Sequence, residues 1–156
     1  MELLLNTLSR FKRDLKPSFV WQRVFSKKRI QEYVIVELIQ SDQLFDRGID
    51  ETGNPIRNAD NGRTSYSKLT EILSGGTKKE GEHYTLLDGG EFYKSMVFLL
   101  GANYFEIDAD PIKKDSNLFA KFGEGIIGLT NESKEKLRVR LKEEYKIELR
   151  RILLKY

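Results

Sequence analysis

Leu4, Leu5, Leu8, Phe11 and Leu15 recur at three- and four-residue intervals, a spacing that predicts a helix with one apolar face running to about Lys16. Pro17 ends or bends it. From Ser18 to Phe45 the apolar positions Val20, Trp21, Val24, Phe25, Ile30, Tyr33, Val34, Leu38 and Ile39 continue a helical period. They predict a second, long helix with Lys27, Lys28 and Arg29 on its wet side; the run Val34-Ile35-Val36 is β-branched but lacks the alternation of a half-buried strand. Between Asp46 and Gly81 the pattern dissolves into Gly48, Gly53-Asn54-Pro55, Asp60-Asn61-Gly62 and Ser74-Gly75-Gly76. That punctuation predicts a long, glycine-rich, flexible loop or arm, with a helical turn or more between Ser65 and Leu73.

Order returns at His83–Leu87, which reads as a short strand, followed by a brief helix over Asp88–Lys94 and a strand over Ser95–Leu100. Gly101-Ala102-Asn103 then turns the chain into Tyr104–Asp108, whose alternation predicts an antiparallel hairpin. A helix from about Ser116 to Phe122 ends at Gly123, a residue suited to a left-handed cap. The last helix begins at Asn131 with Thr130 or Asn131 as its cap and carries the narrow stripe Leu137, Leu141, Tyr145, Leu149 and Ile152. The expectation is an α+β fold: long N- and C-terminal helices packed on a small antiparallel sheet. It forms a single domain in three parts, a helical one over 1–45, the arm over 46–81, and sheet plus terminal helix over 82–156.

Length agrees with one domain, since 156 residues bury roughly two-thirds of the unfolded surface in one core. With no cysteine and a single histidine, His83, thiol catalysis, disulfides, iron–sulfur sites and Cys/His zinc sites are excluded. No apolar run approaches the ~18 residues of a membrane span, and the acidic start Met1-Glu2 is unlike an export signal. The expectation is therefore a cytoplasmic product with no membrane contact.

Charge alters the picture more. Residues 1–29 hold eight basic and two acidic groups, residues 30–130 ten and seventeen, and residues 131–156 nine and five. Basic ends beside an acidic middle suit docking of oppositely charged surfaces. The basic stretches lack the interleaved aromatics of a nucleic-acid module, although Lys27, Lys28 and Arg29 would serve a cytosolic nucleic-acid-binding protein.

Catalytic chemistry is hard to assemble from these residues. Asp46, Asp50 and Glu51 crowd Gly48, and Asp108 and Asp110 form a D-x-D pair, the raw material of a metal-dependent nuclease. Neither group has the spacing of an EF-hand, and acids in such loops ordinarily make Asx-turns. His83 has no nucleophile elbow near it, and Gly75-Gly76-Thr77-Lys78-Lys79 lacks the leading glycine of a phosphate-binding loop. The expectation is a protein with no catalytic residues, no metal and no cofactor.

An ordered series of segments is more specific than any of these. Arg47-Gly48-Ile49-Asp50, Gly53-Asn54-Pro55, Tyr66-Ser67, then Leu87-Asp88-Gly89-Gly90-Glu91-Phe92-Tyr93-Lys94-Ser95, a hairpin, and Ala120-Lys121-Phe122-Gly123 follow one another. In that order they resemble the tail-completion or virion-morphogenesis proteins of tailed bacteriophages, over roughly residues 45–155. Gly89 stands where that pattern usually has Thr or Ser. The resemblance implies a structural subunit of the head–tail connector, or neck, in the virion. It would be assembled in the host cytoplasm as a closed homo-oligomeric ring of six- or twelve-fold symmetry. Its neighbours would be portal, neck or tail proteins, with non-specific contact to DNA in the lumen. Asp88, Gly89, Gly90, Phe92, Ser95, Phe122 and Gly123 would form its structural motif, Asp88 capping the helix and Phe92 and Met96 entering the core. Arg47, Gly48, Asp50, Trp21 and Phe25 would face neighbours.

Overall fold

The computed structural model describes residues 2–114 and 116–156. Helix α1 (Glu2–Asp14) is held to the rest of the chain at its C-terminal end. There Phe11 meets the Tyr156 ring edge-on at 5.2 Å, and the buried Asp14 carboxylate accepts hydrogen bonds from Tyr156 Oη and the Arg13 guanidinium. Pro17 then opens α2 (Pro17–Phe25), where a missing N–H costs nothing, and Val20 and Val24 of that helix are fully buried.

The single long helix expected over 18–45 is broken. Lys27 adopts an extended backbone between α2 and α3 (Lys28–Glu32), and this break aims its ammonium at two carboxylates of the terminal helix. Past Glu32 the helix continues but widens: Tyr33–Arg47 is π-helical. Its burial pattern fits the wider turn. Ile30, Val34, Leu38/Ile39 and Gln43/Leu44 are buried at steps of four and five residues, whereas Ser41 and Phe45, where an α-helical stripe from Val34 and Leu38 would continue, are exposed.

Gly48 ends the segment in a left-handed conformation. Residues 49–67 then run without regular structure but contribute Ile49, Ile56, Asn58 and Tyr66 to the buried set, with isolated antiparallel bridges at Ile49–Pro55 and Ser65–His83. Helix α4 (Lys68–Leu73) starts on the Ser67 side chain, which accepts from the Thr70 N–H. The stretch expected as a strand at His83–Leu87 keeps only the bridge at His83, because Leu86 takes a positive φ of 56° that no strand tolerates.

Beyond α5 (Glu91–Ser95) lies the expected hairpin, β1 (Val97–Leu100) with β2 (Phe105–Asp108), in antiparallel register from Val97–Asp108 to Leu100–Phe105. A second small ladder pairs β3 (Ile112–Lys113) with β4 (Ser116–Asn117) and leads into α6 (Leu118–Phe122). A 3₁₀ turn over Glu124–Ile127 precedes the long α7 (Asn131–Leu153), whose N-cap Thr130 accepts from the Ser133 N–H. The fold is α+β, with α7 packed along α2.

One buried amide ties these parts together. Gln43 Nε2 donates to the Gly128 carbonyl, while its Oε1 accepts from the Thr130 N–H and the Ser133 hydroxyl. The π-helical segment is thereby locked to the first turn of α7.

Candidate functional site

The motif segment 84–95 is shaped by its backbone. Gly89 and Gly90 both take positive φ, 70° and 81°, which turns the chain sharply into α5 and lets Phe92 and Met96 enter the core. Contrary to the expectation from the sequence, Asp88 does not cap α5; Gly90 occupies that position, with no side-chain acceptor. The Lys113 ammonium draws Asp88 away, and with Lys78 at 3.8 Å it holds the carboxyl below its ordinary range. Ser95 is a joint: its Oγ donates to the Phe92 carbonyl and accepts from the Asp110 N–H. Gly123 has φ 85° and ψ 156°, a region open essentially to glycine alone rather than the left-handed helical cap expected there.

Around this turn lies a cleft of about 500 Å³. The Tyr84 ring packs on Tyr66 at 5.0 Å and on Phe122 at 5.1 Å, and these three with Leu86 and Leu118 supply its apolar lining. Burial raises the Tyr84 pKa, so the phenol stays neutral. Arg63, Lys78, Lys113, Lys114 and Lys121 also line the cleft, against the single carboxylate of Asp88 among the described residues. Three of the ordered segments thus meet here, through Tyr66, Asp88 and Phe122, while Arg47–Asp50, Gly53–Pro55 and the hairpin lie outside the cleft. Nothing in the spacing alone revealed the cations, since Arg63 and Lys78 come from separate loops, Lys113 and Lys114 from β3 and the turn after it, and Lys121 from α6.

The other sequence candidates lie elsewhere. Asp50 Oδ1 accepts from the Thr52 and Asn54 N–H groups, Asp108 from that of Ala109, and Asp110 from that of Ile112. Each acid is engaged by a neighbouring backbone N–H, and among the described residues no three of His, Asp and Glu gather as a metal would require. Asp46 is exposed. Arg47 bonds Glu132 at 2.9 Å, and Gly48 is buried against the ring of His83. His83 Nε2 in turn lies 2.8 Å from the Phe45 carbonyl.

Lys27 and Arg29, placed on the wet side by the sequence pattern, instead clamp the buried carboxylates Glu144 and Glu148 together with Arg23. Lys28 alone of the three points outward, beside Glu32. Burial pushes both carboxyls up, but Arg29 and Lys27 on Glu144, and Lys27 and Arg23 on Glu148, outweigh it and hold both below the ordinary range.

Trp21 and Phe25 sit on α2, half-buried. The Trp21 ring packs tilted against Tyr145 at 4.5 Å, and that of Phe25 against Phe105 at 5.4 Å. They form one wall of a largely apolar groove of about 540 Å³, whose other walls are Leu100–Phe105 of the hairpin and Leu141 of α7. Further apolar side chains stand uncovered on α1, on α4 and on the hairpin. No family model, no curated protein and no solved structure matches this chain.

Proposed function

We propose that this chain is a non-enzymatic structural subunit of a bacteriophage neck, one copy in a closed ring that joins the capsid portal to the tail. The observation that carries the reading is the ordered series from Arg47 to Gly123, three of whose segments line one cleft through Tyr66, Asp88 and Phe122. A motif that shapes backbone around Gly89, Gly90 and Gly123 suits a scaffold, and uncovered leucines on α1, α4 and the hairpin suit a subunit that meets neighbours. Its place would be the virion neck, after assembly in the host cytoplasm, with portal, neck or tail proteins on either side.

Electron microscopy of purified particles tests this directly: density for the chain is expected between head and tail. A chain absent from the particle overturns the reading. Incubation with plasmid and Mg²⁺ or Mn²⁺ is expected to leave the DNA intact, and cleavage that disappears in Asp108→Asn would instead establish a metal-dependent nuclease.

The cleft favours one second reading, nucleic-acid contact, either with DNA passing through the lumen or as a cytosolic binder. Five cations around one carboxylate, among the described residues, match a phosphate backbone. Binding to duplex DNA at low salt, weakening steeply as salt rises, supports that contact; no binding at low salt removes it.

A further inference from the structure

Asp88 stands among more positive charge than one carboxylate neutralises. The Lys113 ammonium donates to its carboxylate and, at 3.0 Å, to its backbone carbonyl, and the Lys78 ammonium lies 3.8 Å from the other carboxylate oxygen. Lys114 adds its field to the same group, and Arg63 and Lys121 line the same cleft, in which Asp88 is the only acid among the described residues. On α7, by contrast, Arg23, Lys27 and Arg29 are answered by two carboxylates. The Lys113 and Lys78 side chains are 22% and 25% exposed and that of Asp88 is 56% exposed, so the cations are set more deeply than the acid they hold.

That arrangement names a ligand class. Two ammonium groups gathered on one carboxylate show that the cleft grips an oxyanion at a point, whereas a duplex presents its phosphates along a line. A phosphate monoester carries about 1.5 to 2 negative charges at neutral pH and three strong acceptor oxygens, and so answers three lysines better than a carboxylate does. The volume of about 500 Å³ is that of a small-molecule site. Tyr66 and Tyr84 are buried, and the Lys78 and Lys121 ammonium groups lie 5.7 Å and 5.8 Å over the Tyr66 and Phe122 rings. The protein's own cations therefore use the ring faces, and recognition falls on the phosphoryl group rather than on a stacked base.

We propose that this cleft binds a dianionic phosphate monoester, as free phosphate or as the terminal phosphate of a small molecule, and that Asp88 is a tethered competitor which occupies Lys113 and Lys78 until the dianion replaces it. The exposed carboxylate gives way by turning into water. Lys113 stays anchored on the Asp88 carbonyl, so its ammonium is already placed when the ligand arrives. No bond is made or broken. The inference goes beyond the connector reading and does not depend on it, and it differs from backbone contact with nucleic acid, whose diester phosphates carry one charge each.

Calorimetric titration of the full chain at low salt tests it with three probes: inorganic phosphate, a nucleoside 5′-monophosphate, and a dinucleoside monophosphate whose single phosphate is a diester. The first two are expected to bind one to one and to saturate, and the diester to bind at least about tenfold more weakly. Equal affinity for the two monoanion-free probes, phosphate and nucleotide, means that the phosphoryl group alone is read; tighter nucleotide binding means that its organic part is held as well, and both support the site. A diester that binds as tightly as the nucleotide hands the cleft to nucleic acid and overturns the proposal, as does absence of saturation by about 10 mM of either monoester.

Asp88→Asn is expected to tighten phosphate binding by about tenfold or more, because the competing charge is gone. Equal or weaker binding overturns the competitor role, since a carboxylate that merely holds the cleft in shape gives that result. Lys113→Gln and, at a separate loop, Lys78→Gln are each expected to weaken binding about tenfold, with the fold checked by circular dichroism. Unchanged affinity in whichever of the two stays folded overturns the site. Microscopy of particles stands apart: a chain found in the neck that binds no phosphate sinks this site alone, and a phosphate-binding chain missing from the particle sinks the connector reading alone.

Discussion

A Cβ built on Gly48 falls 2.3 Å from Cδ2 of His83, and the residue holds φ at 58°, so both space and backbone demand glycine there. Gly48→Ala is expected to lose at least about 2 kcal/mol, combining the left-handed penalty with displacement of the His83 ring from the Phe45 carbonyl. Chemical denaturation followed by circular dichroism measures it, and a change within about 0.5 kcal/mol would contradict the packing. Gly48 was readable from the sequence as loop punctuation and was expected to face a neighbouring subunit; within its own chain it lies against His83. The same holds for Arg47 on Glu132 and for Asp50 in its turn. Gln43 was not singled out at all, since a glutamine in a helical stripe carries no signal of which carbonyl it will meet. Gln43→Ala strands the Thr130 N–H and the Gly128 carbonyl in a buried site, and a loss of roughly 2–4 kcal/mol is expected in the same assay.

At the level of the element, the π-helical segment and α7 show why periodicity was legible and register was not. Apolar residues from Val34 to Leu44 announced a buried helix, but the 3.6-residue rule assigns the wrong neighbours when the turn is wider. The register gives a paired prediction: Leu44→Ala is expected to cost about 2–5 kcal/mol, and Phe45→Ala, at a position 51% exposed, within about 0.5 kcal/mol. Equal losses at the two sites would restore the α-helical register. On α7 the stripe of Leu137 and Ile152 was visible, yet Glu144 and Glu148 lie on the buried side because Arg23, Lys27 and Arg29 reach across from α2 and α3. A charge-by-charge reading places every one of those residues in water, and only the break at Lys27 brings them together. Both carboxyls are held below their ordinary pKa, so their contribution is present above the unfolded value and is lost as pH falls through the lower, folded one. Stability of the wild type is expected to fall from about pH 5 downward. Glu148→Gln is expected to be less stable than the wild type at neutral pH and to show a shallower acid loss in pH-dependent thermal melts.

Across the whole molecule, charge and apolar surface divide the work differently from what the sequence alone suggested. Part of the basic N-terminal third is neutralised internally against Glu144 and Glu148, which leaves the cations of α1 and of the cleft outward. The α+β class was legible because helical and strand periods are local properties of the chain. The bare leucines of α1 were not, because periodicity reports that a face is apolar and says nothing about which molecule covers it.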